Sequence, residues 1–98
     1  MLLFEWDKNK AKRNVASHGI SFDEASTVFS DTLSLAIYDP LHSDSEDRFI
    51  LVGHSHSNRL LVVIHTERGA KIRIISARQA VRRERTQYEE NAKRQRDA

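Results

Sequence analysis

The sequence contains no cysteine, and it has only one proline, one tryptophan and three glycines. Without cysteine there is no disulfide framework, no thiolate nucleophile and no cysteine-ligated zinc site, so a cytosolic compartment is the default expectation. The longest apolar run, residues 60–64, is far shorter than the roughly 20 residues that span a membrane. Charged residues from Glu5 onward interrupt any signal-peptide pattern at the beginning of the chain. We therefore expect a soluble cytoplasmic protein with no membrane contact.

The length of 98 residues allows one small domain and excludes a second independent core. A chain of this size buries roughly two thirds of the surface that its unfolded form exposes, which is enough for stability but not for a large internal cavity. Any chemistry must therefore take place in an open surface groove. No repeat or low-complexity tract divides the chain. We expect a single domain over residues 1–98, in which residues 91–98 form a fraying tail.

The charges are segregated along the chain, although their sum is small. The 16 Lys and Arg minus the 14 Asp and Glu give a net charge of +2. Residues 8–13 contain bases and no acid, residues 23–47 contain acids and no Lys or Arg, and bases dominate from Arg48 onward. This division allows one surface to attract a polyanion while another meets a basic partner, and it is equally consistent with ordinary solvated faces.

The first third of the chain predicts a short strand and two helices. Residues 2–4 are apolar, and Asp7 stands where the N-cap of a helix belongs, before apolar residues at helical spacing that end at Gly19. Ser21 and Glu24 have the spacing of a capping box, which indicates that a second helix begins there.

The rest of the chain predicts four strands followed by a helix. Segments rich in Val, Ile and Leu are separated by short polar or glycine-containing links, which favour an antiparallel meander; they are residues 33–38, 48–53, 60–66 and 71–76. Residues 60–64 are apolar at every position, as in a central strand covered on both faces. From Gln79 onward the pattern predicts a polar helix. The predicted fold class is α+β, with an antiparallel sheet packed against N-terminal helices and a C-terminal helix.

Several separated blocks of this sequence resemble the BrnT family of type II toxins. The blocks are residues 4–7 with Lys10 and Asn14, residues 18–22 with 24–25, residues 59–63, residues 72–78, and residues 83–85 with 88–89. They span about residues 3–90, and blocks in the right order are more specific than one short motif. The resemblance implies a RelE-like fold and a toxin that halts translation by cutting RNA without a metal or cofactor. It also implies a cognate BrnA-type antitoxin that neutralises the toxin and binds operator DNA.

Cleavage of RNA by a 2′-hydroxyl requires a base, an acid and cations that stabilise the charge on the phosphorane. We predict Arg73 and Arg78 as the principal cations, because a guanidinium can hold a phosphate with two parallel hydrogen bonds. Strand alternation places Arg73 on the face opposite Ile72 and Ile74. Arg59 is predicted to reach the same groove from the start of its strand.

His65 completes the predicted catalytic set as a general base in an apolar wall. Each of the four residues has a structural alternative. Arg73 could be an ordinary solvent-facing residue, Arg78 could pair with Glu84, and Arg59 could be a turn residue without a role. A core position is the favoured alternative for His65, since its alternation matches that of buried neighbours.

The predicted RNA-binding residues lie near the two basic ends. Lys8 and Lys10 occupy the first turn of the first helix, where the helix dipole disfavours cations, which hints at phosphate contact. Trp6 could stack on a base, although packing against the sheet is the more common role. Arg82 and Arg83 belong to the densest basic stretch, which could contact RNA or an acidic segment of the antitoxin.

Two other functions remain open at the level of the sequence. In the first, the basic strip only docks nucleic acid or a protein and breaks no bond. In the second, the chain is a metal-dependent hydrolase that uses His54 and His56, which are two residues apart. No third ligand stands at a convincing spacing, so the zinc interpretation is weak and no metal is assigned.

Overall fold

The fold consists of a five-stranded sheet with two helices on one face and a third helix over part of the other face. The computed structural model describes residues 2–42 and 44–97. The strands are β1 (Leu3–Glu5), β2 (Leu35–Asp39), β3 (Arg48–His54), β4 (Leu60–Arg68) and β5 (Lys71–Gln79), and the helices are α1 (Lys8–His18), α2 (Phe22–Thr27) and α3 (Arg82–Asp97). The predicted α+β class is confirmed. No helix within the described ranges is both long and apolar enough to cross a membrane.

The strand order in the sheet is β1-β5-β4-β3-β2. Strands β2 to β5 form the predicted antiparallel meander, and β4 is central as expected. The expectation of a wholly antiparallel sheet is wrong at one edge, because β1 pairs in parallel with β5. A parallel pair requires a long connection, and the helices and the meander that lie between the two strands in sequence provide it.

The helix ends follow the predicted caps. The carboxylate of Asp7 accepts hydrogen bonds from the backbone N–H groups of Asn9 (2.7 Å) and Lys10 (3.1 Å), which lower the pKa of Asp7. Gly19 ends α1 with a φ of 68°, a left-handed conformation that glycine adopts without steric cost. The hydroxyl of Ser21 accepts from the backbone of Glu24 (3.0 Å) and starts α2.

The boundary between β5 and α3 differs from the prediction. Gln79 is the last residue of β5, paired with Leu61, so the helix begins at Arg82 rather than at Gln79. The backbone N–H of Ala80 donates to the carbonyl of Leu60 (2.9 Å). Backbone pairing with β4 therefore continues beyond residues 71–76, the strand that the apolar pattern predicted. The chain is helical as far as Asp97, and fraying of residues 91–98 stays a prediction.

Two apolar clusters lie on the two faces of the sheet. We name the faces by the helices that cover them. The α1–α2 face carries the larger cluster, which contains Ile20, Phe22, Ala25, Val28, Leu51, Leu61, Val63, Ile74 and Ala77. The α3 face carries Val52, Leu60, Val62, Tyr88 and Ala92, with Ile50 and Ile64 partly buried beside them. Helix α3 covers only the end of its face near Leu60, so the rest of that face is the more open surface.

A β-bulge in β5 changes which of its residues share a face. Ile64 pairs with Ser76, whereas the next residue of β4, His65, pairs with Ile74, so Ile75 is one residue in excess. Beyond such a bulge the alternation of side chains is reversed relative to simple counting. Arg73 and Arg78 are five residues apart and would otherwise lie on opposite faces, but the bulge places both on the α3 face.

Asn14 of α1 completes the edge of β5 that β1 leaves open. The three residues of β1 pair only with residues 71–73, and among the described residues no strand lies beside the backbone of β5 beyond them on that side. The side-chain amide of Asn14 fills the gap by donating to the carbonyl of Ala77 (2.8 Å) and accepting from its N–H (3.1 Å). It also donates to the carbonyl of Ile20 (2.9 Å). These contacts fix α1 to the sheet across 63 residues of sequence.

We predict that Asn14→Asp destabilises the fold by about 3 kcal/mol, because a carboxylate cannot donate to the two buried carbonyls. Chemical denaturation followed by circular dichroism measures the loss. Asn9→Asp, at an exposed position of the same helix, is the matched control and should change the free energy of unfolding by less than about 0.5 kcal/mol. Equal effects of the two substitutions would show that the contacts of Asn14 do not stabilise the fold.

Candidate functional site

The α3 face brings Arg73 and Arg78 onto one surface. Arg73 is directly opposite Thr66 and Arg78 is directly opposite Val62, so both arginines extend from the face that carries Val62. The rise per residue of a strand puts their Cα atoms roughly 15 Å apart. The predicted orientation of Arg73, away from Ile72 and Ile74, is confirmed.

Each of these arginines is held by a carboxylate. Nη1 of Arg73 donates to Oε2 of Glu5 (2.9 Å), and both side chains are about three-quarters buried. Arg78 makes two parallel hydrogen bonds to Glu84, from Nη1 to Oε1 (2.8 Å) and from Nη2 to Oε2 (2.7 Å). The bonds from Arg78 lower the pKa of Glu84. Arg78 therefore makes the ion pair with Glu84 that was its structural alternative. This pair fixes the first turn of α3 to β5.

Arg59 does not join this surface, contrary to the prediction of a shared groove. Its Nε donates to Oε2 of Glu24 (2.9 Å), its Nη2 to Oε1 of Glu24, and Nη2 also reaches the carbonyl of Gly19 (3.3 Å). These partners lie on α2 and at the end of α1, so the side chain extends toward the α1–α2 side. The buried carboxylate of Glu24 also accepts from the hydroxyl of Ser55 (2.7 Å).

His65 lies on the α1–α2 face and is separated from Arg73 and Arg78 by the sheet itself. Its ring is stacked on Phe49 (centroids 5.7 Å apart) and makes an edge contact with Phe29 (4.8 Å). Burial lowers the pKa of His65, which keeps the imidazole neutral at pH 7. The predicted four-residue groove is corrected by this placement, because neighbouring residues of a strand face opposite ways and His65 has the alternation of the covered core.

The predicted RNA-binding residues divide between the two sides of the sheet. Lys8 and Lys10 are exposed in the first turn of α1. Trp6 packs edge-on against Phe22 (centroids 5.9 Å apart) and joins the core of the α1–α2 face, as its structural alternative described. Arg82 and Arg83 are exposed in the first turn of α3, near the Arg78–Glu84 pair.

His54 and His56 make different contacts and do not form a pair. Nδ1 of His54 is 3.1 Å from the hydroxyl of Tyr88, which donates to Oδ2 of Asp31 (2.7 Å). Nδ1 of His56 is 3.2 Å from the hydroxyl of Thr27. Within residues 2–42 and 44–97, no three His, Cys, Asp or Glu side chains are grouped as metal ligands would be.

The contact between Tyr88 and Asp31 was not predicted from the sequence. It attaches α3 to the end of the α3 face, and burial together with the hydrogen bond to Asp31 raises the pKa of Tyr88 far above its ordinary value. The carboxylate of Asp31 also accepts from the backbone N–H groups of Leu33 (2.9 Å) and His54 (2.8 Å). Burial alone would raise the pKa of Asp31, but these three hydrogen bonds together lower it.

A second unpredicted feature is a row of side chains that crosses all five strands on the α3 face. The register aligns Glu5, Arg73, Thr66, Arg48 and Asp39, in that order from β1 to β2. The cations occupy inner strands and the carboxylates occupy the two edge strands. Arg48 opens its strand in the sequence without any motif around it, and only the strand register reveals its place beside Arg73.

Comparison with known proteins identifies the family. Residues 6–84 match the family described as "Ribonuclease toxin, BrnT, of type II toxin-antitoxin system". The chain belongs to the BrnT family. Its fold is similar to the 1.1 Å crystal structure of the Brucella abortus ribonuclease toxin BrnT, with 25% sequence identity and a TM-score of 0.62. The match covers 84% of this chain and 100% of that chain. None of the curated proteins matches the sequence significantly.

The family match confirms the resemblance found in the sequence. BrnT proteins are toxins of type II toxin-antitoxin systems, and the family is one of ribonucleases. The matched range begins at Trp6 and ends at Glu84. It therefore includes every predicted catalytic residue and extends into the first turn of α3.

We predict that the free energy of unfolding of this BrnT-family chain falls in acid. Glu24→Gln should make that free energy less dependent on pH. The hydrogen bonds from Arg59, with a further one from Ser55, lower the pKa of Glu24 below its ordinary value of 4.5. A lowered carboxyl pKa stabilises the fold above the unfolded-state value and loses that contribution as pH falls through the folded-state value. The free energy of unfolding should therefore decrease from about pH 5 to pH 3 in the wild type.

Glu24→Gln should lose about 2 kcal/mol at pH 7 and show a shallower decrease in acid, since the charged hydrogen bonds to Arg59 are already gone. Denaturation curves at a series of pH values measure both effects. Glu90→Gln, in an exposed position on α3, is the control and should retain the wild-type profile. A profile that Glu24→Gln leaves unchanged would argue against this source of acid sensitivity.

Proposed function

We propose that this BrnT-family protein is a metal-independent endoribonuclease that cleaves RNA and thereby inhibits translation. The observation that carries the proposal is the placement of Arg73 and Arg78 on one open sheet face by the bulge at Ile75. A substrate held in an open groove suits a domain of 98 residues, which has no room for a large enclosed site. The RelE-like relationship of the fold and a cytoplasmic location are parts of the same proposal.

In the proposed reaction, the 2′-hydroxyl of one nucleotide attacks the adjacent phosphorus as it loses its proton. The bond to the 5′-oxygen of the next nucleotide breaks, and that oxygen takes up a proton, leaving a cyclic phosphate and a free 5′-hydroxyl. Arg73 supplies a cation that stabilises the phosphorane, and Arg78, roughly 15 Å away along β5, binds a neighbouring phosphate and so positions the strand, because guanidinium groups bind phosphate oxygens with two parallel hydrogen bonds. The carboxylates of Glu5 and Glu84 hold the guanidinium groups in place until phosphate oxygens replace them as acceptors.

Arg82 and Arg83 extend the proposed RNA contact along the first turn of α3. Both are exposed and lie just beyond the Arg78–Glu84 pair, so they can follow the backbone of a bound strand. Lys8, Lys10 and Trp6 belong to the opposite side of the sheet, and the proposed groove does not include them.

The proposed protein partner is a BrnA-type antitoxin, as expected of a type II system, and contact with operator DNA takes place only through that antitoxin. A neutralising partner needs to keep RNA from the arginines of the α3 face. The short acidic segments that such a partner can offer would compete directly with phosphate for these cations.

We predict that the purified protein cleaves single-stranded RNA in the presence of EDTA. Arg73→Ala and Arg78→Ala should each lower the rate about a hundredfold, the first because it removes a cation from the developing charge and the second because it removes a contact that positions the RNA. Gel analysis of a labelled RNA measures cleavage, and growth arrest on expression reports inhibition of translation. Arg13→Ala is the matched control, because Arg13 is also an arginine but is exposed on α1, on the other side of the sheet.

The same experiment separates the two other functions. RNA binding without cleavage would support a docking module. Cleavage abolished by EDTA and restored by a divalent metal would support the hydrolase that uses His54 and His56. Full activity in both folded arginine variants would show that the proposed site is misplaced.

We predict that the antitoxin covers Arg73 and Arg78 in the neutralised complex. Binding should protect the amides of β5 from hydrogen exchange and abolish RNA cleavage in proportion to the antitoxin bound. Hydrogen-exchange mass spectrometry of the complex, with parallel cleavage assays, measures both effects. A complex in which β5 exchanges as in the free toxin while cleavage is lost would contradict direct occlusion.

A further inference from the structure

Arg48 and Arg73 stand on either side of Thr66 on the α3 face. The register pairs Thr66 with Arg48 on β3 and with Arg73 on β5, so the three residues are direct neighbours across the sheet. Two strand spacings separate the Cα atoms of the arginines by about 10 Å. This is much shorter than the separation of Arg73 and Arg78 along β5, and arginine side chains of this spacing can converge on one small anion.

Thr66 provides an unpartnered hydroxyl at the centre of this pair. The residue is fully buried, and its Oγ1 has no hydrogen-bond partner among the described residues. A buried hydroxyl without a partner is uncommon and costs free energy. The hydroxyl lies on the same face as the two guanidinium stems that flank it. An anion drawn between the arginines would give it an acceptor.

Glu5, at one edge of the row, orients Arg73 without saturating it. Arg73 makes its hydrogen bond to Glu5 through Nη1, and a guanidinium has five N–H donors in a planar fork. Arg48 is directly opposite Asp39 on the other edge. Because Glu5 lies outside the pair, it holds Arg73 from the edge of the sheet, and Arg73 keeps N–H donors for an anion on the side toward Thr66.

The next row toward α3 is apolar on β2, β3 and β4, and it ends at Ser76 on β5. It contains Ile37, Ile50 and Ile64, which the register aligns across β2, β3 and β4. Ile37 is 40% exposed, and Ile50 and Ile64 are only partly buried. A ligand with a phosphate group and an adjoining apolar ring surface fits the two rows together, whereas a simple inorganic anion would use only the first. A nucleotide unit of an RNA strand has this composition.

We propose that Arg48 and Arg73 together bind one phosphodiester group of RNA above Thr66, with the attached nucleotide against Ile37, Ile50 and Ile64. The choice of RNA as ligand rests on the proposed function, while the two-arginine site rests on the register. Arg48 becomes a phosphate-binding residue of the α3 face, and Thr66 becomes a hydrogen-bond donor to the bound group. The site places one phosphate about 15 Å from Arg78, so a strand that spans both covers more than one nucleotide.

The test measures binding of a 2′-O-methyl RNA oligonucleotide, which cannot be cleaved because it has no free 2′-hydroxyl. Fluorescence anisotropy at several salt concentrations gives the affinity and its salt dependence. Arg48→Ala and Arg73→Ala should each weaken binding about tenfold and reduce the slope of log affinity against log salt by about 0.7, the value for one phosphate contact on a single strand. Arg13→Ala, on the other side of the sheet, should change neither quantity.

The double variant decides whether the two arginines share a phosphate. If they do, Arg48→Ala combined with Arg73→Ala reduces the slope by no more than one variant alone, about 0.7. A reduction of about 1.4 would show two separate phosphate contacts and would overturn the shared site. An affinity that Arg48→Ala leaves unchanged would overturn it as well.

Thr66→Val adds a measurement that does not depend on removing a charge. Valine has nearly the shape of threonine and lacks the hydroxyl, and that hydroxyl makes no hydrogen bond in the free protein. The variant should therefore be at least as stable as the wild type in denaturation, while its affinity for the oligonucleotide falls severalfold. Unchanged affinity in a folded Thr66→Val variant would exclude Thr66 from the site.

Cleavage of unmodified RNA distinguishes failure of this site from failure of the proposed function. A wild type that binds the oligonucleotide through Arg48 and Arg73 but never cuts RNA would overturn the ribonuclease proposal and leave the site standing. If Arg48→Ala binds the oligonucleotide with wild-type affinity and cuts RNA at the wild-type rate, the site alone would be overturned.

Discussion

The extra residue at Ile75 is the constraint on which the arrangement of charge depends. A strand that alternated without interruption would place Arg73 and Arg78 on opposite faces, one against α1 and α2 and one against α3. The bulge moves the second arginine across and also lets both Ile74 and Ala77 stay in the core of the α1–α2 face. The bulge therefore keeps apolar residues in the core on one face of the sheet and places two arginines on the other face. It leaves one residue of β5 unpaired.

Within the described residues, the short first strand leaves part of the edge of β5 without a paired strand, and a side chain of α1 takes its place there. β1 covers only residues 71–73, and beyond it a single amide, that of Asn14, pairs with the backbone of Ala77 as a strand would. An unpaired strand edge invites association with other chains, and the buried backbone groups would otherwise lack partners. Helix α1 is therefore part of the sheet's hydrogen bonding as well as its cover.

Local patterns predicted most of the elements and little of the site. The caps at Asp7 and Ser21 and the apolar β4 depend on neighbouring residues, and each was confirmed. The parallel pairing of β1 depends on residues about 68 apart, which periodicity does not report. The grouping of Arg59 and His65 with Arg73 failed because charge alone does not give the side of a sheet. Arg48 was missed because its neighbours in space, Thr66 and Asp39, are on other strands.

The attachment of α3 has a thermodynamic consequence for any ligand of the α3 face. The helix is polar along most of its length, and the side-chain hydrogen bonds that attach it include those that Arg78 of β5 donates to Glu84 and the one that Tyr88 donates to Asp31. A phosphate that takes Arg78 from Glu84 removes one of these attachments, so part of its binding free energy is spent on loosening the helix. Linkage makes the effect reciprocal: whatever loosens α3 by other means raises the affinity of Arg78 for phosphate by the same factor.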